Sequence, residues 1–572
     1  MTLPNWLELF LLIALILVST PVLGGYMAKV YDPTLGNPRG DRVFSAIERP
    51  IYRVCGINPD GQQRWTTYAY SLLAFSLVSV LVLYAQLRLQ GHLFLNPDGY
   101  TGVSPKLSFN TASSFLTNTN WQAYGDGVMA DLTQMAGLAF HNFVSAAAGA
   151  AVAVALIREL VRRRSGTIGN FWVDLVRTCI RILIPIAFVA AIILASQGVI
   201  DNFHSAHTVT TVAGQAQTIP GGPTASQEAI KEGGQNGGGF FGSNSTDPFE
   251  NPNGITNLLE MWLIVGIPFA FTYTFGKMAR RLRQGWVVFV TMFVLCFGML
   301  LIVSPLEARG NAHLTVAGVT QQSTAVQGGG NLEGKETRFG SVTCGYFASL
   351  TTSTSDGAVN CAHDSLTPLG GGIVLVNMMY GEVSPGGTGS GLFGMLIYAL
   401  LAVFVGGLMV GRTPEFLGKK IQAAEMKLIT LYLLLPAVFI LVFAGAAVVI
   451  KTSLASRLNS GPHGLTEIVY AYTEAFNNNG SAFGGLSANT QWYDTTLAIV
   501  MLVGRLFPMI IVLAIAGSLG RKRYVPSTTG TFETTTPLFG GLLLAVVVIV
   551  VGLTYFPVLA LGPIVEHLAG HF

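Results

Sequence analysis

The sequence predicts an all-α polytopic membrane protein of about ten transmembrane helices, built as four membrane–pore–membrane repeats with re-entrant filter loops. Three observations carry this expectation. Of 572 residues, 51% are hydrophobic and only 11% charged, against roughly 25% charged in soluble chains. Ten stretches stay apolar over about 20 residues, the length that crosses a bilayer. Between them, a short helix followed by a small polar turn recurs four times. The composition excludes a soluble multidomain protein, which would expose more apolar surface than water tolerates. A net charge of +3 without long basic runs excludes a nucleic-acid partner, leaving the lipid bilayer as the environment.

The spans fall near 6–28, 66–87, 131–157, 171–198, 255–277, 285–304, 389–411, 426–450, 494–519 and 535–562. The first is read as a true helix rather than a cleaved signal, because no Lys or Arg precedes Phe10 and no small-residue cleavage site follows. Basic residues mark cytoplasmic connections. The connections after spans one, three, five, seven and nine, with the adjoining helix ends, hold 23 of the 32 Lys and Arg residues. Both termini and four long segments, 88–130, 199–254, 305–388 and 452–493, are therefore expected outside.

Each outer segment repeats one design. Ser108–Phe115 leads to Thr117, Asn118, Thr119, Asn120 and Trp121; Thr224–Glu232 leads to Asn236, Gly237 and Gly238. Ser341–Thr352 leads to Ser355, Asp356 and Gly357, and Thr466–Phe476 to Asn478, Asn479 and Gly480. Thr224 and Gln227 have capping-box spacing, marking a helix start. Asn120, Asn236, Asp356 and Asn479 align at spacings of 116, 120 and 123 residues, and such internal repetition organises a fold. The units run 66–160, 170–280, 284–412 and 425–520, with a first helix at 1–30 and a last helix and C-terminus at 534–572.

Taken singly, such turns are ordinary surface features. Four in register on one membrane side point to a pore. Irregular backbone at membrane depth is tolerated only where protein buries it or where it lines a watery cavity. A ring of backbone carbonyls replaces a cation's hydration shell, and the negative C-terminal ends of four short helices would add to it. Three of the four register positions are neutral, which favours dehydrated potassium over calcium. The candidate ion-binding residues are Thr117, Asn118, Thr119, Asn120, Asn236, Gly237, Gly238, Ser355, Asp356, Gly357, Asn478, Asn479 and Gly480, with Gln122 adjacent.

These residues also carry a resemblance. Thr117–Gln122 (TNTNWQ), Asn236–Phe241 (NGGGFF), Asp247–Pro252 (DPFENP), Asn331–Gly340 (NLEGKETRFG), Gly357–Asn360 (GAVN) and Asn478–Gly485 (NNGSAFGG) are similar to the potassium-binding A subunits of Kdp potassium-transporting ATPases, over essentially the whole chain. The resemblance implies the fold of four-repeat potassium transporters. It also implies that a separate P-type catalytic partner, the Kdp B subunit, hydrolyses ATP and that the small accessory C and F subunits complete the pump. The complex would sit in the bacterial inner membrane with its filter loops facing outside. The transported substrate would be K+, handed to the ATPase partner through a tunnel. A stand-alone potassium channel or secondary transporter with the same filter is the alternative.

Asp356 departs from the Asn of the other loops; its side chain is expected to turn into a hydrogen-bond network, leaving its carbonyl near the ion. Arg505 lies inside the ninth span. A charge at bilayer centre costs about 2.5–3.5 kcal/mol on insertion scales, so Arg505 is expected to face the interior as a barrier below the filter. Neutralisation of a buried carboxylate for packing is the competing role. Gly370–Gly372 and Ser384–Gly391 suggest either a discontinuous helix or obstructing loop beneath the filter, or a plain surface loop. Arg177 and Arg181 are expected to snorkel to the cytoplasmic interface. Cys344 and Cys361 bracket the third turn and leave a disulfide open. Glu228, Glu232, Glu250, Asp364, Glu382 and Glu474 read mostly as solvated outer charges. No P-loop spacing and no phosphorylation motif of P-type pumps occurs, so this chain is expected to bind no nucleotide and to lack hydrolytic activity of its own.

Overall fold

A computed structural model describes residues 1–125, 127–526 and 531–569. Ten of its helices are long and apolar enough to cross a membrane: Leu3–Tyr31, Trp65–His92, Thr133–Val161, Phe171–Ser196, Gly254–Met278, Leu282–Val316, Ser390–Met409, Ala423–Val449, Gln491–Gly520 and Pro537–Ala569. Among the described residues, sheet is confined to two small antiparallel hairpins. One joins His207–Thr210 to Ala216–Ile219 in the second outer segment.

Burial sorts the spans into two rings. The third, fifth, seventh and ninth have 61–89% of their apolar windows buried, the first, second, fourth, eighth and tenth have 22–39%, and the sixth lies between at 56%. Helices apolar all round are stable only when surrounded by protein or lipid. The four most buried helices, each the second of its unit, therefore form the inner wall, while the five least buried present apolar flanks outward. Small residues permit this crowding: Ala146–Ala148 and Ala150–Ala153 of the third span are buried without exception.

Each of the four long segments dives back into the core as a short helix: Pro105–Leu116, Thr224–Gly234, Gly340–Ser353 and Gly461–Asn477. Pro105 opens the first, where its missing N–H leaves no donor unsatisfied. The second begins differently from its sequence signature. Pro223 occupies the N-cap, so Thr224 lies within the first turn with its hydroxyl unpartnered, and the expected capping box is absent.

The third outer segment holds a helix that hydropathy alone overlooks. Pro368–Met379 is apolar and buried against the sixth span and the third and fourth re-entrant helices. Its twelve residues extend about 18 Å, too short to cross. The chain then breaks over Tyr380–Gly389 before the seventh span begins at Ser390. The break is buried, and its Gly386 N–H donates to the Ser353 carbonyl at the end of the third re-entrant helix, 3.0 Å away. This unit's second helix is thus discontinuous, with its interruption against the third turn. Cys344 and Cys361 are disulfide-bonded across that turn.

On the basic face, Arg181 does not snorkel free. It is buried and paired with Asp41 (2.6 Å) and Glu48 (Nη2–Oε2, 2.8 Å) on the amphipathic helix Asp41–Val54, because that helix folds up beneath the fourth span.

On the opposite face, His463 ties three elements together. Its Nε2 lies 2.8 Å from Asp364 after the third turn, and its Nδ1 2.8 Å from Glu566 near the C-terminus. Burial opposes charge on the imidazole, but the two carboxylates outweigh it and raise its pKa from 6.5 to about 10. A raised folded-state pKa contributes stability that is complete below pH 6.5 and lost as pH climbs toward 10. Melting temperatures of the wild type and H463Q should therefore converge across that window; a constant difference would refute a charged His463 held between Asp364 and Glu566.

Candidate ion-binding site

The four turns meet in a closed ring, and glycine marks each meeting. A Cβ on Gly237 of the second turn would strike the backbone of Gly357 in the third. One on Gly357 would strike the Asn479 carbonyl and Gly480 in the fourth, and one on Gly480 the Thr119 carbonyl of the first. One on Gly238 would lie 2.8 Å from the Asn120 carbonyl, closing the circuit from first to second. Each loop thus approaches its neighbours backbone to backbone, an approach only glycine allows. All thirteen candidate residues lie in the turns that form this ring, and those with side chains are buried.

Left-handed backbone recurs in three walls: Asn118, Asn120, Gln235, Gly237, Gly238, Asn478 and Gly480 all have positive φ. Asn tolerates this conformation better than other side-chain-bearing residues do. The third turn has no such residue between Ser355 and Asn360, so its wall is built differently.

The amide side chains mostly brace one loop against another. Asn236 Nδ2 donates to Asn118 Oδ1 (2.8 Å), and Asn118 Nδ2 to the Gln235 carbonyl. Gln122 spans the first and second turns twice, donating to the Gly239 carbonyl (2.9 Å) and accepting from its N–H (3.2 Å). Asn478 Nδ2 donates to Thr119 Oγ1 (3.0 Å), and Asn479 Nδ2 to the Thr351 and Thr354 carbonyls (2.7 and 2.8 Å). The asparagine bonds use the amide N–H groups, whereas the buried Oδ1 atoms of Asn120 and Asn236 accept no hydrogen bond among the described residues.

Asp356 divides the expectation made for it. Its Oδ1 does fold onto its own turn, accepting from the Ala358 N–H at 2.7 Å. Its carbonyl, however, accepts from Thr351 Oγ1 (2.9 Å) and from Asn479 Nδ2, which uses both lone pairs. Gly238 is similar: its carbonyl accepts from Lys231 Nζ at 2.7 Å. Both carbonyls are thus already engaged by side chains.

The reading of the outer carboxylates as solvated is corrected. Glu228, Glu232, Glu250, Glu382 and Glu474 are all buried, and only Asp364 retains appreciable exposure. Glu228, Glu232 and Glu474 are carried inward on re-entrant helices. Glu250 lies in the loop before the fifth span and Glu382 in the buried break before the seventh, which a count of residues per segment does not register.

Arg505 also faces inward. Its Nη2 donates to the Ser145 carbonyl on the third span (3.1 Å), and its neighbour Gly504 packs against the Phe476 carbonyl at the end of the fourth re-entrant helix. Beside it lies a cavity of about 70 Å³ lined by Glu382, Ser390, Tyr432, Asn478 and Arg505. Asn478 opens the fourth turn, so this space adjoins the ring at the inner ends of the re-entrant helices.

The whole chain has close relatives. A family model described as "Potassium-transporting ATPase A subunit" matches residues 10–568. The potassium-transporting ATPase potassium-binding subunit of Mycobacterium tuberculosis is 57% identical over 566 residues, covering 99% of each chain. That of Solibacter usitatus is 52% identical over 572 residues, covering 100% of this chain and 99% of the relative. Among solved structures, the potassium transporter TrkH from Vibrio parahaemolyticus superposes with a TM-score of 0.52 at 14% identity, covering 90% of this chain and 98% of that one.

Proposed function

Because the chain belongs to the family of potassium-transporting ATPase A subunits, we propose that it is the potassium-binding and translocating subunit of an ATP-driven uptake pump. It takes K+ at an outward-facing filter and passes it to a separate catalytic partner. The observation that carries this reading is the ring, in which four turns close on one another through Gly237, Gly238, Gly357 and Gly480. A ring of this kind offers fixed carbonyls to an ion that has shed its water. The re-entrant helices end at it, adding the negative ends of their dipoles. Arg505, at the inner end, supplies a fixed positive charge that opposes straight passage and favours a sideways exit. On this reading ATP is hydrolysed by the catalytic Kdp B subunit, the small C and F subunits complete the assembly, and this chain binds no nucleotide. On this reading the complex sits in the bacterial inner membrane, and the bias of Lys and Arg toward alternate connections supports the ring facing outside.

The test is the ATPase activity of the co-purified complex titrated with K+ and, separately, Na+. Saturable stimulation by K+ at concentrations where Na+ has no effect is the expected result. Equal stimulation by both ions would overturn the filter assignment.

A further inference from the structure

The ring's four walls are held from behind by residues at equivalent positions that differ in charge. Five residues before Asn120, Asn236, Asp356 and Asn479, the re-entrant helices carry Phe115, Lys231, Thr351 and Glu474. Three of these reach forward to their own turns. Lys231 Nζ donates to the Gly238 carbonyl at 2.7 Å, and Thr351 Oγ1 to the Asp356 carbonyl at 2.9 Å. Glu474 Oε2 instead accepts from the Gly480 N–H at 3.1 Å. In the first wall Ser114, one residue earlier, donates to the Trp121 carbonyl at 2.9 Å. All four anchors are buried.

The polarity of the anchor decides which way a peptide faces, because the N–H and C=O of a trans peptide point to opposite sides. An acceptor behind the fourth turn draws the Gly480 N–H back and so directs the Asn479 carbonyl away from the re-entrant helix. A donor behind the second turn draws the Gly238 carbonyl back, and the paired Gly239 N–H turns the other way to Gln122 Oε1, 3.2 Å distant. The ammonium is itself held, 2.9 Å from Glu228 and 3.6 Å from both Glu232 and Glu250. A buried cation is thus kept neutralised next to a cation path.

We propose that Lys231 and Glu474 are positioning residues that set ion specificity, the first withdrawing a carbonyl from the second wall and the second aiming one into the ring from the fourth. The proposal rests on the filter reading above, and its test separates the two. Purified complexes carrying K231M, K231R, E474L, E474Q or G480A are compared for the ratio of half-saturating K+ to half-saturating Rb+ in ATPase stimulation. Loss of a buried hydrogen bond to a charged group should shift that ratio by roughly tenfold or more in K231M and E474L. K231R and E474Q, which keep a donor and an acceptor respectively, should stay near wild type. A general packing defect would not be rescued in this pattern.

K231M leaves Glu228, Glu232 and Glu250 without their cation, so if that complex does not assemble, E474L against E474Q decides. Wild-type ratios in assembled K231M or E474L overturn the inference while G480A remains impaired. Wild-type potassium affinity in G480A would instead overturn the filter reading itself.

Discussion

Gly480→Ala is expected to abolish stimulation of the pump by physiological potassium while leaving the complex assembled. Two effects act at this position. Gly480 has φ +84°, a region that costs a side-chain-bearing residue about 1–2 kcal/mol. Its new methyl group would also occupy the place of the Thr119 carbonyl and lie 3.2 Å from the Trp121 amide nitrogen. The first and fourth turns cannot both keep their positions, and neither has an apolar neighbour's flexible end to push aside. Displacing a preorganised donor in this way costs about 1–3 kcal/mol for each strained group. Together these effects would raise the half-saturating K+ concentration by roughly 100-fold. Gly541→Ala in the tenth span is the control, because nothing lies within 4 Å of its Cβ position and its φ is not left-handed. Potassium titration of ATPase activity, with size-exclusion chromatography of the complex, separates a filter defect from misassembly. A G480A complex with normal potassium affinity would show that the ring does not bind the ion.

How much of this was legible in the sequence follows from what each feature needs. Spans announce themselves because 20 apolar residues have few other uses, and all ten spans read from the sequence overlap a long apolar helix of the structure. The re-entrant helices were legible only as a repeat, since each alone is short and mixed in polarity. Pro368–Met379 was missed because it is apolar but too short to count as a span. The burial of Glu228, Glu232, Glu250 and Glu474 was missed for a related reason: sidedness was inferred from charge, and charge reports the side of a segment, not its depth. A signal did exist. With the four turns aligned, Lys231, Thr351 and Glu474 fall in one column, and a charged residue facing a neutral one at equivalent positions of a buried repeat asks for a partner. Which carbonyls face the ring was not legible at all. It depends on bonds between loops, such as those from Asn479 to Thr351 and Thr354, that join residues more than 120 positions apart.

Arg505→Ala tests whether the charge under the ring is a barrier or only a packing partner. As a barrier, the guanidinium opposes a potassium ion at the inner end of the ring; unit charges about 8 Å apart interact by about 2 kcal/mol at an effective dielectric of about 20. Removing it should strengthen K+ occupancy there and let ions pass without turnover, a change of roughly 30-fold in that equilibrium. The measurable result is a fall in potassium ions moved per ATP in reconstituted vesicles, with ATPase activity that depends less on K+. R505K keeps the charge and should retain most of the coupling. The competing role rests on Glu382, which lines the same cavity and whose Oε2 accepts from Ser355 Oγ below the third turn. If Arg505 serves only to neutralise that carboxylate, R505A should strand it, and adding E382Q should restore normal transport. Restoration by the double variant would therefore refute the barrier, whereas a leak that persists in R505A/E382Q means that the positive charge itself blocks the direct path.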